Sequence, residues 1–349
     1  MKCRIVTVYN SDNSGSFLQA YAMMQTLKKM GHQAVFSRNT FSDHNSSLRT
    51  HLIRLAKLLA RRNLMGFRLM RERRKNFRAA VSRYMPVEWK GSFDCCVLGS
   101  DVIWDLTKPF FKNHADIFWG WAFEGKKVIS YAASLGFAGE KELKAHSFVR
   151  GALNNKSWVS VRDRNSQALL QPYCDQEIRL VCDPTFLVER QEYDAIAAPT
   201  KMEKFIFLYC YVNLPSADQA AIQALAKKEG LKTVTFGQFN QWCDVHLPYD
   251  PLEFLSLYEK ADYIITDTFH GTVFSMIYEK RFAVVKNQKI KVLDVLAQFG
   301  MADKMTSAEA EYAAILHSDF DYASVRQRIA KEREKGLCYL NCALEEVKK

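Results

Sequence analysis

With 349 residues, 48% of them apolar and 13% aromatic, the chain is long enough for two domains and apolar enough to bury two cores. That composition excludes a disordered chain, and no apolar run reaches the roughly 18 residues a membrane span requires. The formal charge of +11 has one source: residues 49–83 hold twelve Lys or Arg against a single acid, Glu72, and the remainder balances.

The predicted elements open with a strand over residues 4–9, with no cleavable signal ahead of it, and a polar turn ending at Gly15. A helix follows whose face is Phe17, Ala20, Tyr21, Met24 and Leu27, stopped by Gly31, and residues 34–36 form the next strand. This βαβ opening offers one glycine and no Gly-x-Gly-x-x-Gly, so a dinucleotide fingerprint is absent. Leu48, Leu52, Leu55 and Leu59 share a helical face, and a second basic helical stretch runs from Gly66 to about residue 83. Residues 48–85 therefore read as a basic helical insertion, either a solvated face or a contact for anionic membrane or an anionic acceptor at 49–83. Nucleic acid is the weaker partner, because few aromatics interleave the charges and no recognition module accompanies them.

Strands at residues 93–98, 128–131, 158–161 and 178–182 come next, each closed by small or charged residues. Taken alone, Asp101 caps a helix or faces a ligand, while Arg162 pairs with a nearby acid or forks onto a phosphate or carboxylate. Residues 189–204, polar and holding Pro199, read as an inter-domain linker. A second series then runs strand 205–211, helix 217–228 closed by Gly230, strand 233–236 and helix 252–258. Residues 263–266 form a short β-branched run that reads as a buried parallel strand, and a helix carrying Val273, Phe274 and Ile277 follows the loop 267–271. This order sets Thr268 and His270 at a strand's carboxyl end beside a helix N-terminus, where open α/β sheets bind ligands and free N–H groups favour anions. A capping threonine and a carbonyl-bonded histidine are the competing account. After a strand at 282–285, Lys286, Lys289 and Lys291 crowd the next junction, and the chain from about residue 322 is helical and charged. Nine scattered cysteines without a Cys-x-x-Cys pair read as reduced, buried thiols, and no metal site is expected.

Six short motifs, in order, resemble the polysaccharide pyruvyl transferase family. They are the opening YNSDNSGSFLQAY with Asn13 and Gly15, Gly99-Ser100-Asp101 with Trp104, and Ser134 with Gly136. Asp183-Pro184-Thr185, TDTFHGTVFS around His270 and the basic residue Lys291 complete the set. Thr268 and Phe269 stand where many members carry an arginine before the histidine. The resemblance implies an α/β chain of two Rossmann-like domains facing across a cleft, glycosyltransferase-B-like, with the basic helical insertion in the first. Residues 1–190 and 200–320 would be the domains, and residues 321–349 a helix packing back on the first.

It further implies a transferase that moves a carboxyethylidene group from phosphoenolpyruvate to two hydroxyls of a sugar, in a polysaccharide or a lipid-linked precursor. No metal and no cofactor are implied, and the setting is cytoplasmic or peripheral at the inner membrane face. In that chemistry His270 is the acid or base, a task suited to imidazole, and Arg162 with Lys286 or Lys291 clamps the donor. Thr268 and Gly271 supply hydroxyl and backbone contacts, while Asn13, Gly15, Ser100, Asp101 and Ser134 face the cleft and hold the acceptor. Two rivals stand beside it: a nucleotide-sugar glycosyltransferase on the same scaffold, and a non-catalytic glycan- or membrane-associated protein.

Overall fold

The computed structural model describes residues 1–38, 64–88, 91–123, 125–237, 239–286, 289–306 and 311–348. The first half of the expected insertion, with its four leucines, lies outside these residues. In the first lobe, β1 (Lys2–Val6), α1 (Ser14–Lys29), β2 (Gln33–Ser37), α2 (Leu64–Tyr84), β3 (Val87–Glu88), β4 (Cys95–Leu98) and β5 (Lys127–Ser130) build a parallel sheet. Its order is β3-β2-β1-β4-β5. A short parallel pair, β6 (Ser160–Val161) and β7 (Arg179–Leu180), extends it through bridges from Ile129 to Trp158 and from Ala133 to Val161.

The second lobe repeats the plan. β8 (Phe205–Tyr209), α3 (Ser216–Glu229), β9 (Lys232–Phe236), β10 (Val245–Leu247), α4 (Glu253–Lys260), β11 (Tyr263–Thr266), α5 (Phe269–Ile277), β12 (Arg281–Val284) and α6 (Ile290–Phe299) give the parallel order β10-β9-β8-β11-β12. Central strands such as β4 and β8 are buried along their whole length, which is why they read as continuous apolar runs rather than alternating ones. Each sheet reverses its winding once, between β1 and β4 and between β8 and β11. The loops leaving those strands are where ligands bind in such sheets.

One apolar core runs through both lobes, and two more fill the outer faces of the sheets. The stretch expected to be a polar linker supplies the join. It carries a short helix, Arg190–Asp194, whose Tyr193 is fully buried between Tyr21 of the first lobe (ring centroids 6.5 Å apart) and Phe274 of the second (5.2 Å). A tyrosine whose hydroxyl is satisfied, here by donating to the Thr185 carbonyl at 2.9 Å, can fill a core as well as a phenylalanine. Composition marked this segment as loose because its few buried side chains, Tyr193, Ile196 and Thr200, are scattered among polar residues.

The last helix, α7 (Tyr322–Lys348), returns across the first lobe. The Tyr339 hydroxyl donates to the Ser130 carbonyl at 2.8 Å, Trp158 Nε1 donates to Glu346 at 2.7 Å, and Arg333 Nε donates to the Phe186 carbonyl at 2.7 Å. Cys338 and Cys342 on this helix are exposed, which corrects the expectation that all the thiols are buried; the other seven are. Among the described residues, no helix is long and apolar enough to cross a membrane, and no cluster of three metal-binding side chains occurs.

Gly336 sets how closely α7 can approach: a Cβ there would lie 2.9 Å from Leu187 Cδ2 and collide with the Tyr131 hydroxyl. In an exposed helix, alanine would stabilise this position by about 1 kcal/mol over glycine. Here overpacking outweighs propensity, so Gly336→Ala should cost about 1–3 kcal/mol. Thermal unfolding should show a Tm lowered by about 2 °C or more; a raised Tm would mean α7 is not held at this contact.

Candidate active site

A cavity of about 660 Å³ lies between the lobes, lined by the loops after β1, β4, β8, β11 and β12 and by one side of α2. Two helices open onto it. Asn13 caps α1 by accepting from the Ser16 N–H at 3.1 Å, and Thr268 caps α5 by accepting from the Gly271 N–H at 2.9 Å. The first N–H groups of each helix have no intrahelical partner, so both ends favour negative charge. Close packing explains the glycines beside them. A Cβ on Gly15 would overlap the His270 ring, and one on Gly271 would run into Thr266 and Thr268.

His270 is buried but for one edge on the cavity, held between Gly15 of the first lobe and its own helix. Its Nε2 lies 3.8 Å from Asp183 Oδ2, an ion-pair distance rather than a hydrogen bond. Asp183 is fully buried and anchors a cluster. Arg162 Nη1 donates to Asp183 Oδ2 at 2.7 Å, and Nη2 to Asp101 Oδ1 at 3.3 Å. Ser16 Oγ in turn donates to Asp101 Oδ2 at 2.6 Å. Burial alone would raise the Asp183 carboxyl, yet the His270 imidazole and the Arg162 guanidinium outweigh it and hold it well below the usual carboxylate range. Asp101 behaves alike: burial pushes upward, and Arg162 with its neighbours His270 and Lys291 brings it down. Asp101 also takes a left-handed backbone, φ +70°, and turns the chain out of β4 toward the cavity.

The cations divide into two kinds. Arg162 is neutralised, its side chain only 1% exposed and its guanidinium stacked 4.5 Å from the Phe269 ring of the opposite lobe. Lys289 is neutralised too, donating to Asp267 Oδ2 at 2.6 Å. Lys291, by contrast, is half-buried on the cavity wall with no ion pair among the described residues. Burial, with Arg162 adding to it, pushes its ammonium down to about 8. A third wall is phenolic. Asn13 Nδ2 donates to the Tyr211 hydroxyl at 2.9 Å across the lobes, and the Tyr209 and Tyr211 hydroxyls are 3.0 Å apart.

Of the residues expected at the site, Asn13, Asp101, Thr268, His270 and Lys291 line the cavity, with Gly15 and Gly271 packed directly behind it. Four do not line it. Arg162 was expected to clamp the donor; both its arms are taken by buried carboxylates. Ser100 sits inside that cluster, 3.1 Å from Asp183 Oδ2. Ser134 is buried behind it, accepting from the Gly136 N–H at 3.1 Å. Lys286 is exposed and is not part of the cavity lining, its backbone N–H donating to the Thr306 hydroxyl at 2.8 Å. Sequence reasoning passed over the roles of Asp183, Tyr211, Lys289 and Arg73. Asp183 stands out in sequence only as part of the Asp-Pro-Thr motif and Lys289 only as one of three crowded lysines, whereas Arg73 has a signal of its own: it interrupts the apolar stripe Leu69, Phe77 and Ala80 on the buried side of α2.

The family model described as polysaccharide pyruvyl transferase matches residues 13–289. No curated protein matches the chain. Among solved structures, UDP-GlcNAc 2-epimerase from Neisseria meningitidis bound to UDP-GlcNAc aligns over 99% of this chain and 100% of its own, with TM-score 0.52 and 12% identity. The S. aureus MnaA–UDP complex aligns over 100% and 98%, with TM-score 0.53 and 9% identity. At such identities the likeness concerns the fold alone: a glycosyltransferase-B-like pair of Rossmann-like lobes.

Asp183→Asn would leave Arg162 buried with one partner fewer, a loss of about 3–5 kcal/mol. A carboxyl whose folded pKa lies below its unfolded value stabilises fully above the unfolded pKa and loses that stability as pH falls through the folded one. The wild-type advantage in urea unfolding should therefore be full above about pH 4 and shrink below it. An advantage already lost at pH 6 would contradict this cluster.

Proposed function

This chain belongs to the polysaccharide pyruvyl transferase family and is a transferase, and from that premise we propose that it builds a pyruvate ketal on a sugar, with phosphoenolpyruvate as donor. The observation that carries the proposal is His270 on the cavity wall, with Asp183 behind it and the N-terminus of α5 and Lys291 beside it. Ketal formation requires a proton on the donor's vinyl carbon and a home for departing phosphate. In our reading, the edge of His270 facing the cavity gives a proton to the CH2 group while one sugar hydroxyl adds to the adjacent carbon. Phosphate then leaves and a second hydroxyl takes its place. Of the two hydroxyl protons, one is balanced by the new methyl group and the other leaves with phosphate.

The donor is a trianion near neutral pH, so its site must supply positive potential that persists as phosphate departs. Lys291 and the free N–H groups at the start of α5 answer that need. The Asp183–Arg162–Asp101 cluster is buried and contributes by fixing the imidazole and the turn at Asp101, so Arg162 is a positioning residue here. The wall of Asn13 and Tyr211 offers hydroxyl and amide partners to the acceptor's ring.

Removal of a group that transfers a proton in the transition state costs about 10²–10⁴-fold. His270→Ala should lower kcat for phosphoenolpyruvate-dependent phosphate release by that factor, and an unchanged rate would sink the assignment. Lys291 makes a separate demand. Its charge is lost as pH rises through about 8, so KM for phosphoenolpyruvate should climb across that range. In Lys291→Met, KM should start high and stay flat; a variant that keeps the wild-type slope would exclude this lysine.

A further inference from the structure

We propose that the acceptor is itself an anion, gripped inside the cavity by Arg73 and followed outward by a cationic stripe on the same helix. The inference rests on the transferase reading above and adds the chemical class of its acceptor.

Arg73 lies on the inward side of α2, between the buried Leu69 and Phe77, and reaches the cavity next to Tyr211. Its guanidinium stacks 4.5 Å from the Tyr249 ring of the second lobe and donates through Nη2 to the Asp12 carbonyl of the first. Its closest carboxylate oxygen, Asp12 Oδ2, is 4.0 Å from Nε, and Nε makes no hydrogen bond among the described residues. Arg162 and Lys289 are each held by a carboxylate within 2.7 Å, so Arg73 differs from them in lacking a close counter-charge. A guanidinium enclosed against a neutral sugar would be desolvated for no return, whereas its planar fork matches a carboxylate or phosphate.

The outer side of α2 continues the pattern. Arg68, Arg71, Lys75 and Arg78 recur at three- and four-residue steps, which places them on one exposed stripe. Only Arg68 has an acidic partner among the described residues, Glu72 at 2.8 Å. A helix bearing one cation into the cavity and four along its outer face suits a chain with repeated negative charge, or a sugar carried on a phosphate linkage. The shared chemistry is an anionic oxygen fork, and its source is either a uronic acid carboxylate or a (pyro)phosphate.

The test is isothermal titration of the wild type, Arg73→Gln and Arg73→Lys with four probes. These are an oligogalacturonate, a glycosyl pyrophosphate with a short lipid, a maltooligosaccharide of equal length, and phosphoenolpyruvate. The wild type should bind one of the two acidic probes at least about tenfold more tightly than the neutral one, and whichever is preferred names the source. Arg73→Gln should lose about tenfold on that probe, Arg73→Lys less, and both should hold phosphoenolpyruvate within twofold of the wild type. Added salt should weaken acidic binding in the wild type, a readout independent of whether either variant folds. Equal affinity for neutral and acidic glycans, or a loss in Arg73→Gln confined to phosphoenolpyruvate, overturns the inference while leaving the donor assignment intact. A wild type that prefers acidic glycans but ignores phosphoenolpyruvate overturns the donor assignment alone.

Discussion

Everything at the cleft depends on one buried carboxylate. Asp183 leaves the end of β7 with no exposed surface, a placement that would be unfavourable if its charge were not met from several sides. Arg162 from the end of β6 meets it most closely, Ser100 from the end of β4 approaches within 3.1 Å, and His270 from the other lobe faces it at 3.8 Å. Four chain segments from two lobes are thereby tied to one side chain. Buried ion pairs are weak evidence of net stability, since apolar replacements often do as well. What they supply is a specific arrangement: no apolar residue at position 183 could orient a guanidinium and an imidazole together.

That arrangement works because both sheets have the same winding. Each reverses between its first and fourth strands, and the loops at the two reversal points are opposed. α1 and α5 start from those loops, so two helix N-termini open onto one cavity. The lobes meet there with almost no spare room, since Gly15 leaves only the space of a hydrogen between α1 and the His270 ring. The glycine is required by approach and not by its own backbone angles. A side chain at position 15 would push the imidazole from Asp183, from the cavity, or from both.

Much of this was legible in the chain. The succession of strands and helices, the cap at Thr268, the stop at Gly230 and the position of His270 at a strand's carboxyl end all follow from local patterns of apolar spacing and small polar residues. The family resemblance, now matched over residues 13–289, supplied the two-lobed arrangement. What stayed hidden was the pairing of charges. Sequence gives Arg162 and Lys289 as cations near strand ends, but whether such a group faces a ligand depends on carboxylates remote in sequence: Asp183 and Asp101 for the first, Asp267, from the loop after the neighbouring strand, for the second. Tyr193 was hidden for a similar reason. Its partners come from α1 and α5, and no local pattern announces a tyrosine that joins two cores.

The place before His270 shows how charge is apportioned. Many members of the family carry an arginine there, and this chain has Thr268 and Phe269. Phe269 is not an inert replacement: its ring faces the Arg162 guanidinium at 4.5 Å and helps to hold that cation in the buried cluster. Thr268 caps α5, so its neighbourhood offers oriented N–H groups in place of a side-chain charge. Among the described residues, the second lobe therefore brings to the cavity one cation that forms no ion pair, Lys291, on a half-buried stem. A trianionic donor of the kind proposed would then lean on the N-terminus of α5 as much as on a side-chain cation.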